Sequence, residues 1–271
     1  MGRGDLTVDE WTRLKPHLPK TRQRGGRWSS HRRVINGILF RNRTGVPWRD
    51  LPARFGPWKT VYERHRRWSA DGTWERGFDL VPRSPTRRRG TQEPAAGAGK
   101  RRTPLQHRPD EGLGRSRGGL TCKIHLAGEG GRRPLAFLLT PGQWGDAPQL
   151  IPVMERVRVA RQEGGRRRTR PDHLGGDKAY SSRRNRRYLR RRQIKHTIPE
   201  PKDQRANRKR RGSQGGRPTS FDKTIYKRRN EVERTINALK NSRAVATRYD
   251  KRAYIFHGTV TVAAIRLWLR P

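Results

Sequence analysis

The stretch TCKIHLAGEGGRRPLAFLLTPG, residues 121–142, decides the fold of this chain. It contains two strand-like runs separated by the glycine-rich turn GEGG. Two such runs joined by a short turn favour a β-hairpin. The hairpin gives the C-terminal part of the chain an antiparallel pair of strands, against which the neighbouring segments must pack.

Downstream of the hairpin, helical and strand-like patterns alternate, which is the order of an α/β fold. We predict a helix at 146–157, a strand in HLGGDKAYS (173–181), a basic helix at 183–192, a strand in IKHTIP (194–199), a loop at 200–219, and helices at about 221–241 and 254–269.

Upstream of the hairpin, residues 5–81 are predicted to be helical. Thr7 followed by Glu10 is a capping-box pattern that begins the first helix. A second helix is expected to begin near Ser29 or Ser30 and to end at Gly45. A short helix at 48–55 and a longer one after Pro57 complete a helix-turn-helix pattern.

The longer of these two helices, WKTVYERHRRW at 58–68, has a basic side that suits contact with DNA phosphates. Its tryptophans are expected to belong to the core, and His65 to be a helix residue rather than a ligand. The residues predicted to contact DNA are Lys59, Arg64, Arg66 and Arg67.

Between the helical part and the hairpin, residues 82–109 lose every regular pattern. The segment contains one acid, Glu93, several Pro and Gly, and a single residue from Leu, Ile, Val and Phe. Such a composition favours a disordered linker. We therefore predict a helical DNA-binding domain at 1–81, a basic linker at 82–112 and an α/β domain at 113–271.

The formal net charge of +43, from 66 Lys and Arg against 23 acids, indicates a polyanionic partner. A GC-rich coding sequence also favours arginine, so charge supports nucleic-acid binding without identifying it. No run approaches the length of a membrane span and the N-terminus lacks a signal-peptide core, so no membrane role and a cytosolic location are expected. Cys122, the only cysteine, excludes an internal disulfide.

The late helix carries a polar stripe made of Tyr226, Arg229, Glu233 and Lys240. On an ideal helix with about 100° per residue, these four positions lie within an arc of about 60°. An apolar stripe beside it would be buried, which would turn the polar residues toward a cleft. Ordinary salt-bridged charges on a helix surface are the alternative interpretation.

Asp177 is the second acid of interest, because it follows the short apolar and Gly-rich run HLGG. An Asp at the end of a strand and before a helix places its carboxylate at the edge of the sheet. It lies 56 positions before Glu233. A capping or surface Asp is the alternative.

The Tyr, Arg, Glu and Lys spacing resembles the signature of the bacterial insertion-sequence transposases of families four and five, whose Glu completes an Asp-Asp-Glu triad. LGRSRGGLTCKIHL (113–126) and RAVATRYDKR (243–252) are also similar to segments of that family. The order of elements fits the later part of an RNase H-like α/β domain. The resemblance thus implies a helix-turn-helix-like all-α domain followed by an RNase H-like domain.

The resemblance also implies roles for the residues of the stripe. Asp177 and Glu233 would be catalytic and bind two Mg²⁺ or Mn²⁺ ions, while Tyr226, Arg229 and Lys240 would contact DNA phosphates. The expected partner is double-stranded DNA at the inverted repeats of a transposon end, bound by a homodimer associated with the nucleoid.

One part of the family pattern is missing from this sequence. In the family the first Asp lies on a central strand in a motif similar to Asp-Ser-Thr, at the place where residues 82–109 stand here. Asp79 and Asp110 are the nearest candidates to replace it, but neither lies in a strand-like context. The sheet is therefore expected to be incomplete, as a deletion or a compensated frameshift would leave it.

Three functions remain open from the sequence. The chain is a DNA transposase that cuts and joins DNA, or a catalytically inactive relative that binds DNA and competes with an intact transposase. The third is a general basic RNA-binding protein, which does not explain the stripe on the late helix.

Overall fold

The computed structural model of this chain has a helical N-terminal region and a C-terminal region of mixed helices and strands. No helix in the part of the chain that it describes is long and apolar enough to cross a bilayer. The linker predicted at 82–112 lies outside this part, except for its last residues. The residues described are 2, 4–20, 28–78, 109–116, 119–159 and 165–270.

The described residues of the N-terminal region form four α-helices. They are α1 (Val8–Leu14), α2 (His31–Thr44), α3 (Trp58–Ala70) and α4 (Thr73–Phe78). The capping box is confirmed, because the Glu10 N–H donates to Thr7 Oγ1 at 3.2 Å and the Thr7 N–H donates to Glu10 Oε2 at 2.7 Å. Helix α2 begins after Ser30 and ends at Gly45, whose φ of 72° suits a glycine.

The short helix predicted at 48–55 is wrong. The structure has two 3₁₀ turns there, Trp48–Asp50 and Ala53–Phe55. Pro52 separates them because it has no N–H to continue a helix, and Leu51 before it is extended.

The predicted hairpin is confirmed. Strand β1 (Gly114–Ser116) pairs with the start of β2 (Gly119–Glu129), and β2 pairs antiparallel with β3 (Arg133–Pro141). A register shift between Ala127 and Gly128 marks a β-bulge. The three strands form one sheet with β2 in the middle.

The two later strands are also confirmed, and they form a second sheet. Strand β4 (His173–Gly175) pairs in parallel with β5 (Lys195–Thr197). Within the described residues no strand joins this sheet to the hairpin. A cavity of about 140 Å³ lies between them, lined on one side by Leu126 and Gly128 of β2 and on the other by Leu174 of β4.

In the C-terminal region, the part of the chain that the structure describes contains seven α-helices. They are α5 (Leu150–Arg156), α6 (Arg183–Arg191), α7 (Lys202–Arg210), α8 (Lys223–Lys227), α9 (Asn230–Lys240), α10 (Arg243–Thr247) and α11 (Ala253–Leu269). Two predictions are corrected. Helix α7 lies in the segment predicted as a loop, and the helix predicted at 221–241 is divided in two.

Two hydrophobic clusters hold these elements together. The larger one joins the N-terminal helices to α11, with Trp68 and Trp74 packed in the same cluster as Phe256 and Val260. The smaller one lies between β3, α5 and α6 and includes Leu189. The C-terminal helix is therefore part of the core of the N-terminal helices.

A buried chain of hydrogen bonds crosses the larger cluster. Trp74 Nε1 donates to His65 Nδ1 at 3.1 Å, and His65 Nε2 donates to Thr259 Oγ1 at 3.2 Å. The Thr259 hydroxyl donates to Asp250 at 2.7 Å, and Arg41 donates two bonds of 3.1 Å to the same carboxylate. Burial lowers the pKa of His65 to about 4, so its ring is neutral at pH 7.

The buried Arg41–Asp250 ion pair joins α2 to the segment before α11, and its contribution to the stability of the fold can be tested. Both side chains are at most 5% exposed. Asp250→Asn should lower the free energy of unfolding by about 3–5 kcal/mol, because it leaves a buried guanidinium without its counter-charge. Chemical denaturation measures this loss.

The matched control is Asp110→Asn, which breaks the ion pair between Asp110 and Arg252. These side chains are 42% and 48% exposed. The control should cost less than about 1 kcal/mol. Equal losses for the two variants would contradict the anchoring role of Asp250.

Candidate functional site

Asp177 lies just beyond the C-terminal end of β4, as predicted. Gly176 separates Asp177 from the strand. The N–H of Gly176 donates a hydrogen bond to Thr197 O of β5 at 3.1 Å. Asp177 then caps a 3₁₀ turn, Lys178–Tyr180, by accepting the Lys178 N–H at 2.6 Å. The parallel pair of strands therefore fixes where this carboxylate stands.

Three of the four residues of the predicted stripe lie together even though their helix is divided. Arg229 Nη1 donates to Glu233 Oε1 at 2.6 Å, and the Arg229 guanidinium lies 5.4 Å from the centre of the Tyr226 ring. The break preserves this arrangement because the Arg229 N–H still bonds to Tyr226 O at 3.0 Å. Lys240, the fourth residue, is exposed at the end of α9.

Arg229 also connects the stripe to Asp177. Burial alone would lower the pKa of Arg229, but the pKa is raised because Tyr226, Glu233 and Asp177 all act on the guanidinium. The two carboxylates are 56 positions apart in sequence and interact with one cation. Asp177 therefore lies within electrostatic range of the guanidinium that is paired with Glu233.

Sequence reasoning missed one residue near this region, Asp146. The pKa of Tyr180 is raised to about 12, first by burial and then by the negative charges of Asp146 and Asp177. Asp146 accepts a hydrogen bond from Lys123 Nζ at 3.1 Å and lies 3.8 Å from His125 Nδ1. Its position at the start of a predicted helix was its only sequence signal.

The ligands for a divalent ion are incomplete in the described residues. These residues contain no group of three or more His, Cys, Asp or Glu side chains that could hold a metal ion. Glu233 is ion-paired with Arg229, and Asp110, one candidate for the first Asp, is ion-paired with Arg252. Asp79, the other candidate, lies outside the described residues. The described donor set does not fit a two-ion centre.

The basic side of α3 is only partly as predicted. Lys59, Arg66 and Arg67 are exposed, and Arg66 is ion-paired with Glu63 at 2.7 Å. Arg64, by contrast, is buried.

Aromatic contacts explain the burial of Arg64. Its guanidinium lies 4.2 Å from the centre of the Trp28 ring, 5.4 Å from that of Trp68, and donates to His31 Nδ1 at 2.8 Å. Burial lowers the pKa of Arg64. This arginine therefore supports the packing of the helices and does not share the exposed face.

Two family models match the chain. The one described as a putative transposase of the IS4/5 family matches residues 6–78. The one described as a transposase DDE domain matches residues 89–268. No solved structure matches.

Curated relatives come from insertion sequences. An uncharacterised protein of insertion element IS402 from Burkholderia cepacia is 40% identical over 30% of this chain and 60% of its own length. A putative transposase for IS6501 from Brucella ovis is 28% identical over 56% of this chain and 100% of its own length. A putative transposase for IS402 is 33% identical over 50% of this chain and 56% of its own length.

The chain spans about 60% of the length of the first of these relatives. The DDE-domain model covers well over half of the chain and includes Asp177 and the whole stripe. The chain therefore belongs to the insertion-sequence transposases that carry a DDE domain.

Proposed function

We propose that this chain binds the terminal inverted repeats of an insertion sequence, as a homodimer on double-stranded DNA in the nucleoid. The observation that supports this most is the contact of Arg229 with both Glu233 and Tyr226, with Asp177 within electrostatic range of the same guanidinium. A general RNA-binding protein has no need of that arrangement. In this proposal the C-terminal region is an RNase H-like domain, and the N-terminal helices contribute to DNA binding.

The cations of the stripe are assigned to the DNA phosphates. Lys240 and Arg229 would donate charge-assisted hydrogen bonds to the phosphates. Tyr226 would donate a hydrogen bond from its hydroxyl. Arg229 is already paired with Glu233 through Nη1, so a phosphate would bind the remaining N–H groups of the guanidinium. On α3 the exposed Lys59 and Arg67 are assigned to DNA phosphates as well.

DDE transposase domains generally use divalent metal ions. Asp177 and Glu233 are the residues that would hold Mg²⁺ or Mn²⁺ if a third carboxylate completed the set. We infer that the family's strand with the first Asp is absent from residues 82–109, and the described residues contain no group of three ligands that could hold a metal ion. We therefore propose a chain that retains binding to the ends of its element and has largely lost the ability to cut them.

Specific retardation of end fragments tests this proposal. The protein should retard a duplex carrying the inverted repeat that flanks its gene at about 10³-fold lower concentration than a scrambled duplex, the lower end of the usual specificity ratio. Lys240→Gln should weaken this binding. Lys227→Gln, the same loss of charge at a position off the stripe, should have little effect.

Two results would contradict the proposal. One is equal affinity for the repeat, the scrambled duplex and an RNA of the same length. The other is an equal effect of the two lysine substitutions.

A further inference from the structure

A second candidate site lies in a cleft of about 770 Å³ between the N-terminal helices and the segment that joins α10 to α11. Its walls include Trp58 and Tyr62 of α3, Arg49 of the preceding 3₁₀ turn, and Tyr249 and Lys251. The residues that line this cleft include none of the polar stripe of Tyr226, Arg229, Glu233 and Lys240. The volume lies in the range of about 300–1,000 Å³ typical of sites for small molecules and single nucleotides.

The walls of this cleft expose aromatic rings. Tyr249 is 68% exposed and Trp58 is 36% exposed, whereas Trp68 and Trp74 are fully buried in the core. The Arg49 guanidinium already lies 5.8 Å from the centre of the Trp58 ring. Exposed rings beside cations are the arrangement that binds unstacked nucleobases.

The backbone holds Tyr249 in place between two anchored residues. Arg248 has a φ of 41°, in the left-handed region, and donates hydrogen bonds to the carbonyl oxygens of Glu111 and Gly112. Asp250 on the other side is fixed by the buried bonds of the Arg41 network. A residue held in a sparsely populated conformation is frequent at ligand sites. The ring of Tyr249 is thus presented by a rigid segment.

The charge of the cleft selects an anionic ligand. Within the described part of the chain, neither Arg49 nor Lys251 is paired with a carboxylate. Asp250 is the acid of the cleft wall, and its charge is neutralised by Arg41 and its oxygen is bonded to Thr259. An apolar partner helix would leave the two cations without solvent or counter-charge, which is costly.

We propose that this cleft binds one unstacked nucleobase of DNA, with its ring against Tyr249 and Trp58 and its phosphates near Arg49 and Lys251. The inference rests on the proposed function, because it assumes that DNA is the ligand. It goes beyond that function by adding a site that is selective for single-stranded or distorted DNA. The occupant is nucleic acid, not a protein segment.

The test compares two probes, a 20-nucleotide single strand and the duplex of the same sequence, at about 200 mM salt, where electrostatic binding is reduced. Stacking of one base on an aromatic ring is worth about 1–3 kcal/mol. Tyr249→Ala should therefore raise the Kd for the single strand by about 5- to 150-fold and change the Kd for the duplex by less than about twofold.

Three control variants make the test specific. Tyr249→Phe keeps the ring and should bind the single strand like the unmodified protein. Trp58→Ala should resemble Tyr249→Ala, while Trp144→Ala, which removes a ring of 37% exposure outside the cleft, should not. Circular dichroism of each variant checks that the fold is intact.

Each other outcome has a definite meaning. No loss with Tyr249→Ala, equal losses for both probes, or the same loss with Tyr249→Phe would overturn the cleft assignment and leave end binding intact. Failure of the unmodified protein to bind the single strand would overturn the cleft assignment alone, whereas failure to retard the inverted repeat would overturn both proposals.

Discussion

The affinity of this chain for double-stranded DNA is expected to fall by about 10³–10⁵-fold when the salt concentration rises from about 50 to about 200 mM. The net charge of +43 is spread over the chain, and the exposed faces of α3 and α9 both carry cations. Neutralising roughly 6–10 phosphates releases that many condensed counterions, which produces this dependence. A titration of Kd against salt measures it.

Paired substitutions show whether α3 contributes to this response. Lys59→Gln with Arg67→Gln should reduce the slope of log K against log salt by about 2, since each phosphate contact contributes about 0.9. Lys15→Gln with Lys20→Gln removes the same charge from exposed positions near α1 and is the control. A nearly flat salt response of the unmodified protein would exclude DNA phosphates as its main contact.

Restoring a strand with the missing carboxylate is expected to raise metal-dependent DNA cleavage by about 10²–10³-fold or more. The physical reason is the charge that develops on the scissile phosphate, because one lost stabilising group at such a site costs about this factor. The designed variant replaces residues 82–109 with a strand that contains Asp-Ser-Thr. Its cleavage rate is compared with that of the unmodified chain.

A second design separates chemistry from folding in this experiment. The same strand with Asn-Ser-Thr supplies the backbone without the carboxylate. It should stabilise the sheet between β2 and β4, where the structure has a cavity, but should not restore cleavage. If the Asn version cut as fast as the Asp version, the missing carboxylate would not be the cause of the defect.

Local patterns predicted much of this fold because they are set by near neighbours in sequence. The glycine-rich turn and its flanking apolar residues define the hairpin, and Thr7 with Glu10 defines the start of α1. Helix α7 was not predictable from periodicity, since KDQRANRKR has no apolar stripe and none of its residues is buried. The break before α9 falls among good helix formers, Arg228 and Arg229, which give no local signal.

The site was predictable where spacing alone determines which residues meet. The pairing of Arg229 with Glu233 follows from a separation of four positions on a helix. The assignment of Arg64 to the DNA-contacting side of α3 was wrong because Trp28 and His31 bury this residue. Both lie outside α3, so the spacing of residues within that helix does not predict these contacts. Asp146 was missed because it is distant from Asp177 in sequence. Only in the folded chain do both carboxylates lie near enough to Tyr180 to raise its pKa.

The central claim is that the chain still binds the DNA ends of its element but can no longer cut them. A single assay with one DNA fragment tests this claim most directly. Purified protein is incubated with Mg²⁺ or Mn²⁺ and a labelled fragment bearing the inverted repeats that flank its gene, beside Asp177→Asn and Asp110→Asn. The account predicts specific retardation of the fragment with no nicking above that of Asp177→Asn. Efficient nicking by the unmodified chain that is abolished by Asp177→Asn and by Asp110→Asn would contradict it, and would identify Asp110 as the carboxylate that replaces the first Asp.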